Sequence, residues 1–145
     1  MPSFRNSTDL RTIVARLDRL TEQMPPKWGR FTAPKMLAHM GDACRMALGD
    51  LPVAPKKVPL ISRFPFKHLV LYVLPLPKNS PTAREIIARA PEPFEVERTQ
   101  LKVLIARLDG NTGRQPHPLF GPLSPDEWGV LGYKHLDHHL RQFGV

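Results

Sequence analysis

The sequence predicts an all-α four-helix bundle, on three observations. Four stretches of the 145 residues space their apolar side chains three and four apart, the stripe of an amphipathic helix. Good capping or stopping residues bound these stretches, and no pair of alternating runs joined by a tight turn suggests a hairpin. Elements of this kind bury their stripes against one another, which is a bundle. The length suits one domain over residues 1–145, and 41% hydrophobic with 23% charged residues excludes a disordered chain.

The first helix is expected over residues 8–24, where Leu10, Ile13, Val14, Leu17, Leu20 and Met24 recur at helical spacing. Ser7 or Thr8 is its N-cap and Pro25-Pro26 its stop. The second begins after Thr32, with Pro34 in the first turn, and runs to Leu48 before Gly49. Met36, His39, Met40, Ala43, Met46 and Ala47 share one face of it, flanked by Lys35 and Asp42, while Arg45 points away. From Asp50 to Pro93 nine prolines, Pro59 among them, cut a long crossover into pieces. Phe66 to Leu74 reads equally as helix or strand, and Thr82 to Ala90 as a short helix capped by Thr82. Helical order returns at 94–108 with Val96, Leu101, Val103, Leu104, Ile105 and Leu108, ended by Gly110, Asn111 and Gly113. Ser124-Pro125-Asp126-Glu127 is a capping box with proline at the first helical position, and it opens the last helix, which reaches Gln142.

That last helix carries three of the six histidines within five residues. His135 and His139 are four apart, one turn above each other, and can share one ion. Trp128, Leu131 and Gln142 lie within about 40° of the same face, His138 at its edge and Asp137 nearly opposite. Asp137 and Arg141 then form an ordinary solvated pair. His39, in the middle of the apolar face of the second helix, is the candidate third ligand. Buried imidazoles left without partners cost free energy that a shared metal would recover. Three imidazoles with an open fourth position form a catalytic type of site, and a closed fourth position a structural one. Asp42, His138 and His68 are the side chains that could close it. A zinc-protease reading fails, because Leu136 stands where that motif needs glutamate.

Other features bound the function. The only cysteine, Cys44, excludes an internal disulfide and a cysteine-rich zinc site. No leader pattern and no apolar run near 18 residues is present, so a cytoplasmic protein without membrane association is expected. The net charge of +8 raises nucleic acid as a partner. The basic residues are scattered, however, with no run longer than Lys56-Lys57, which argues against a dedicated nucleic-acid binder.

One inward histidine on the second helix, followed far downstream by His-x-x-His-His with glutamine, resembles the DinB superfamily of four-helix-bundle metalloproteins. The resemblance is closest to an uncharacterised DinB-like branch. It rests on His117-Pro118-Leu119-Phe120-Gly121, Glu127-Trp128, and Tyr133 through Val145 with its His-Leu-Asp-His-His-Leu-Arg-Gln-Phe-Gly core, and on Trp28-Gly29 to His39. It covers nearly the whole chain and is loose over 50–93. The resemblance implies His39, His135 and His139 as ligands of a divalent metal, zinc or nickel foremost, with homodimers common among relatives. It further implies a metal-dependent S-transferase or related activity, acting on a small thiol of the bacillithiol, mycothiol or glutathione kind and a small electrophile. Asp42 is either an acceptor for an imidazole N–H or a surface carboxylate, Gln142 is a candidate support for the ligands, His138 is either a proton shuttle or a spectator, and Met36, Met40 and Trp128 are pocket wall or plain core. The rival expectation is a non-catalytic bundle with a structural or vestigial metal site, acting through a protein partner.

Overall fold

The computed structural model describes residues 1–56, 63–108 and 115–145. Lys57 and Pro59 of the crossover, and the helix terminators Gly110, Asn111 and Gly113, lie outside the described residues. The described residues are helical with no strand, an all-α bundle. Its main helices are α1 (Ser7–Arg19), α2 (Ala33–Leu48), α4 (Phe94–Arg107) and α5 (Pro125–Gln142); a short α3 (Phe66–His68) sits in the crossover. α2 packs between α4 and α5, and α1 packs between the same two on the other side. Helices adjacent in sequence, α1 and α2, are therefore diagonal in the bundle, an arrangement unlike simple up-down-up-down. Ile13, Leu17, Met36, Leu37, Met40, Leu101, Ile105, Leu136 and Leu140 fill the centre, all fully buried. Each such side chain contributes roughly 1.5–3 kcal/mol of hydrophobic stabilisation.

The helix ends follow local chemistry. Asn6, rather than Ser7 or Thr8, caps α1, its side chain accepting from the Thr8 and Asp9 amides. The helix ends at Arg19, five residues before the expected stop, because Leu20 turns extended and drops its side chain into the core. Thr32 caps α2 through the Lys35 amide, and Gly49 closes it with φ 83°. The face of α2 predicted to be apolar is buried, but so are Leu37, Ala38 and Cys44, since α2 is enclosed by α4, α5 and the crossover. On α4, Val96 and Val103 face outward. The Ser124–Glu127 capping box is present in both directions at the start of α5. Asp137 is more than half of a solvated pair. Besides Arg141 at 3.0 Å it binds Arg16 at 2.7 Å, and Arg16 also donates to the Val145 carbonyl, tying α1 to the end of α5.

The crossover owes its shape to α2 and α5 side chains. Phe66 to Leu74 resolves as helical: α3 continues directly into a π-helical turn, Leu69–Val73. Lys134 of α5 donates to the Val70 and Leu71 carbonyls of that wide turn, at 2.7 and 3.2 Å. The helix expected over Thr82–Ala90 is reduced to one 3-10 turn, Arg84–Ile86, with no side-chain cap. Its carbonyls are taken from outside. Lys35 donates to Ile87 O at 2.6 Å and to Arg89 O, and His39 binds Ile86 O. An α-helix cannot be completed here, because the residues four beyond Ile87 and Arg89 are Pro91 and Pro93, which have no N–H, so those carbonyls take their donor from Lys35 instead.

Candidate metal centre

Three helical positions bring the predicted histidines together. His39 arrives from the middle of α2, His135 and His139 from successive turns of α5. The Nε2 atom of His135 lies 3.1 Å from Nε2 of His39 and 3.1 Å from Nε2 of His139. Each of the three offers one ring nitrogen, and these atoms all lie within 4.8 Å of one another. Among the described residues no other histidine, cysteine or carboxylate joins the group.

The outer nitrogens fix the tautomers. His39 Nδ1 lies 2.9 Å from the Ile86 carbonyl, which can only accept, so Nδ1 carries the proton and Nε2 is bare. Gln142 Nε2 donates to the Trp28 carbonyl at 2.8 Å, which turns its Oε1 towards His139 Nδ1, also at 2.8 Å. His139 therefore donates from Nδ1, and its Nε2 is bare too. Two lone pairs face His135 Nε2, and a single proton there can satisfy one of them. A cation at the centre satisfies all three. Two imidazole nitrogens bound to one zinc at about 2.0–2.1 Å and a tetrahedral angle stand about 3.3 Å apart, close to the 3.1 Å of the two pairs that His135 makes. The donor set fits a divalent metal.

The electrostatics agree with neutral rings. Burial pushes the pKa of His39 below its usual value, that of His139 down to about 3, and that of His135 well down, where the neighbouring histidines add to the effect. Neutral imidazole is the ligand form.

The remaining predicted residues divide. Gln142 is buried against His139, and the glycine at residue 29 leaves room for its amide. That residue has φ +75°, and a Cβ there would lie 2.7 Å from Gln142 Nε2. Asp42 is buried but serves elsewhere. Arg45 holds one of its oxygens at 2.6 Å and Arg89 the other at 3.3 Å, while Ile86 O takes the imidazole proton expected to go to Asp42. Arg89 also grips the buried Glu97, so the cluster joins α2, the crossover and α4. His138 packs edge-on against Trp28 and His139, ring centroids 5.6 and 5.2 Å apart. His68 is exposed on the crossover beside Tyr72, away from the triad. Met36 is core, whereas Met40 and Trp128 line a cavity that opens on the histidines.

Two neighbours were not foreseen as site residues. Phe31 packs against two rings of the triad, its own ring 5.3 Å from that of His39 and 5.8 Å from that of His139. Its place three residues after Trp28 and one before the α2 cap was the available signal. His117 lines the same cavity from the loop before α5. The sequence set it apart only as the head of His-Pro-Leu-Phe-Gly.

Fold and site together define an all-α protein with a three-histidine cluster, enclosed between two bundle helices and suited to a metal ion. The chain belongs to the family described as a protein of unknown function (DUF1569), whose model matches residues 5–144. No curated protein and no solved structure matches it.

Proposed function

We propose that His39, His135 and His139 hold one divalent metal ion, zinc or nickel, and that the protein is a metal-dependent thiol S-transferase of the DinB type. The observation that carries the metal is the convergence of three Nε2 atoms, two of them stripped of protons by Ile86 O and Gln142 Oε1. The thiol chemistry rests on the family resemblance and on the cavity beside the histidines. A bound divalent metal supplies one thing, a lowered pKa for a coordinated thiol, so that the nucleophile exists as thiolate at neutral pH.

The chain's own residues do the rest. Ile86 O and Gln142 orient two imidazoles, which keeps their basic nitrogens directed inward. Phe31 packs against the rings of His39 and His139 and helps to hold them in place. No carboxylate lines the cavity among the described residues, while exposed Arg30 and Lys56 stand at its wall, a charge pattern that attracts an anionic thiol. A fourth protein ligand, which a structural site needs, is absent among the described residues.

Cobalt-substituted protein tests this reading. Addition of glutathione should bring up an intense near-ultraviolet charge-transfer band, and the native-metal protein should conjugate thiol to monochlorobimane at a rate abolished in His135→Ala. A tightly bound cobalt whose spectrum ignores thiols would place the protein with structural metal sites instead.

A further inference from the structure

The cavity on which the histidines open has a volume of about 1170 Å³. Ligand pockets run from roughly 300 to 1,000 Å³, so this one exceeds what a small thiol needs. Its wall is mostly apolar: Met40, Cys44 and Ala47 from α2, Val70 and Leu76 from the crossover, Leu136 from α5. Cys44 belongs to that wall as an inert group, since burial pushes its thiol up to about 12.

One polar side chain in this wall is held ready. The loop 117–121 is closed on itself by two backbone bonds, His117 N to Gly121 O at 2.8 Å and Gly121 N to His117 O at 2.9 Å. Within it, His117 Nδ1 accepts from the Leu119 amide at 3.1 Å and from the Phe120 amide at 3.4 Å. The ring is further wedged between Phe120 and Trp128, at centroid distances of 4.9 and 5.3 Å. An Nδ1 that accepts leaves the proton on Nε2, so His117 presents a neutral N–H donor. Burial agrees, pushing its pKa down to about 4. Nε2–H has no acceptor among the described residues. Trp128, against which the ring stacks, stands two helical turns before His135, about 10 Å along α5.

We propose that His117 is a substrate-positioning residue, and that the electrophilic substrate is a largely apolar, uncharged molecule whose carbonyl-type oxygen accepts from His117 Nε2–H. This inference rests on the site reading above for the word substrate, and on the cavity alone for the binding. A neutral donor in apolar surroundings selects an acceptor without demanding charge. A ligand lacking the oxygen leaves a desolvated N–H unpaired and binds more weakly.

A matched pair of probes tests it, benzophenone against diphenylmethane, which differ by a carbonyl in place of a methylene. Both are titrated against N-phenyl-1-naphthylamine fluorescence on the full-length protein as purified, with metal content measured in every sample. The expected result is saturable 1:1 displacement by both in wild type. His117→Phe should weaken benzophenone about tenfold and leave diphenylmethane unchanged. His117→Gln, which keeps an N–H donor, should restore most of the loss. Ala47→Trp, which fills the cavity, should weaken both probes while retaining metal. Equal weakening of both probes by His117→Phe would reduce His117 to wall, and no saturable binding in wild type would overturn the substrate class. Either failure with full metal content leaves the metal reading standing; intact probe binding without metal overturns that reading alone.

Discussion

His139 and Gln142 are joined by a 2.8 Å hydrogen bond that decides which nitrogen of His139 is free. Gln142 is in turn oriented by the Trp28 carbonyl, so a loop before α2 sets the protonation pattern of a ring on α5. Gln142→Met removes this constraint and lets the imidazole choose the other tautomer. Metal affinity should fall about 10–100-fold, read by competition with a chromogenic chelator. Gly29→Ala should act in the same direction by displacing the Gln142 amide.

Lys35 holds two carbonyls of the crossover, Ile87 O and Arg89 O. Lys35→Met leaves them without that donor, at a cost of about 1–3 kcal/mol where they stay buried. Urea denaturation should register the loss. Amide hydrogen exchange should accelerate over residues 84–90 before it does so in α2.

Glu97 is buried and gripped by Arg89, whose other carboxylate partner is Asp42. Glu97→Ala leaves a charged guanidinium in a partly buried cluster with one carboxylate gone. Breaking a buried pair from one side costs about 3–5 kcal/mol, with the lower figure expected because Arg89 is partly exposed. Thermal or chemical unfolding measures it. Metal stoichiometry at saturation should not change, since Asp42 and Glu97 touch none of the three histidines.

Acid should destabilise the metal-free protein through its buried imidazoles. His117 has a folded pKa of about 4 against an unfolded value near 6.5, so below pH 6.5 the unfolded chain takes up a proton that the folded one refuses. Stability is therefore full above about pH 6.5 and is lost progressively as pH falls to about 4, by up to about 3 kcal/mol from this residue. His117→Gln should flatten unfolding free energy against pH within that window. An unchanged slope would show that His117 is not held neutral.

The bundle was legible because α2 and α5 advertise themselves: Thr32, Pro34, Gly49 and the Ser124–Glu127 box all behave as local chemistry dictates. The triad was legible for a related reason, since helical phase puts His39, His135 and His139 on inward faces regardless of detail. What escaped was tertiary. Pro91 and Pro93 deny the segment at 82–90 two of its helical donors, a local signal, whereas the donors that serve its carbonyls, Lys35 and His39, lie about 50 residues away along the chain and no local pattern records them. Asp42 sits one turn from His39 in sequence, yet two arginines claim it, one of them from the crossover. His117 carried no periodic signal, because its position comes from a closed five-residue loop.

Metal content reads directly whether the three Nε2 atoms are directed at one ion. Protein purified without a histidine tag should carry close to one divalent ion per chain by elemental analysis. That ion should be lost in both His39→Ala and His135→Ala, with the fold retained by circular dichroism. Wild-type protein that is empty and that also refuses added zinc, nickel and manganese would contradict the account, and the three rings would then be a polar core sharing protons.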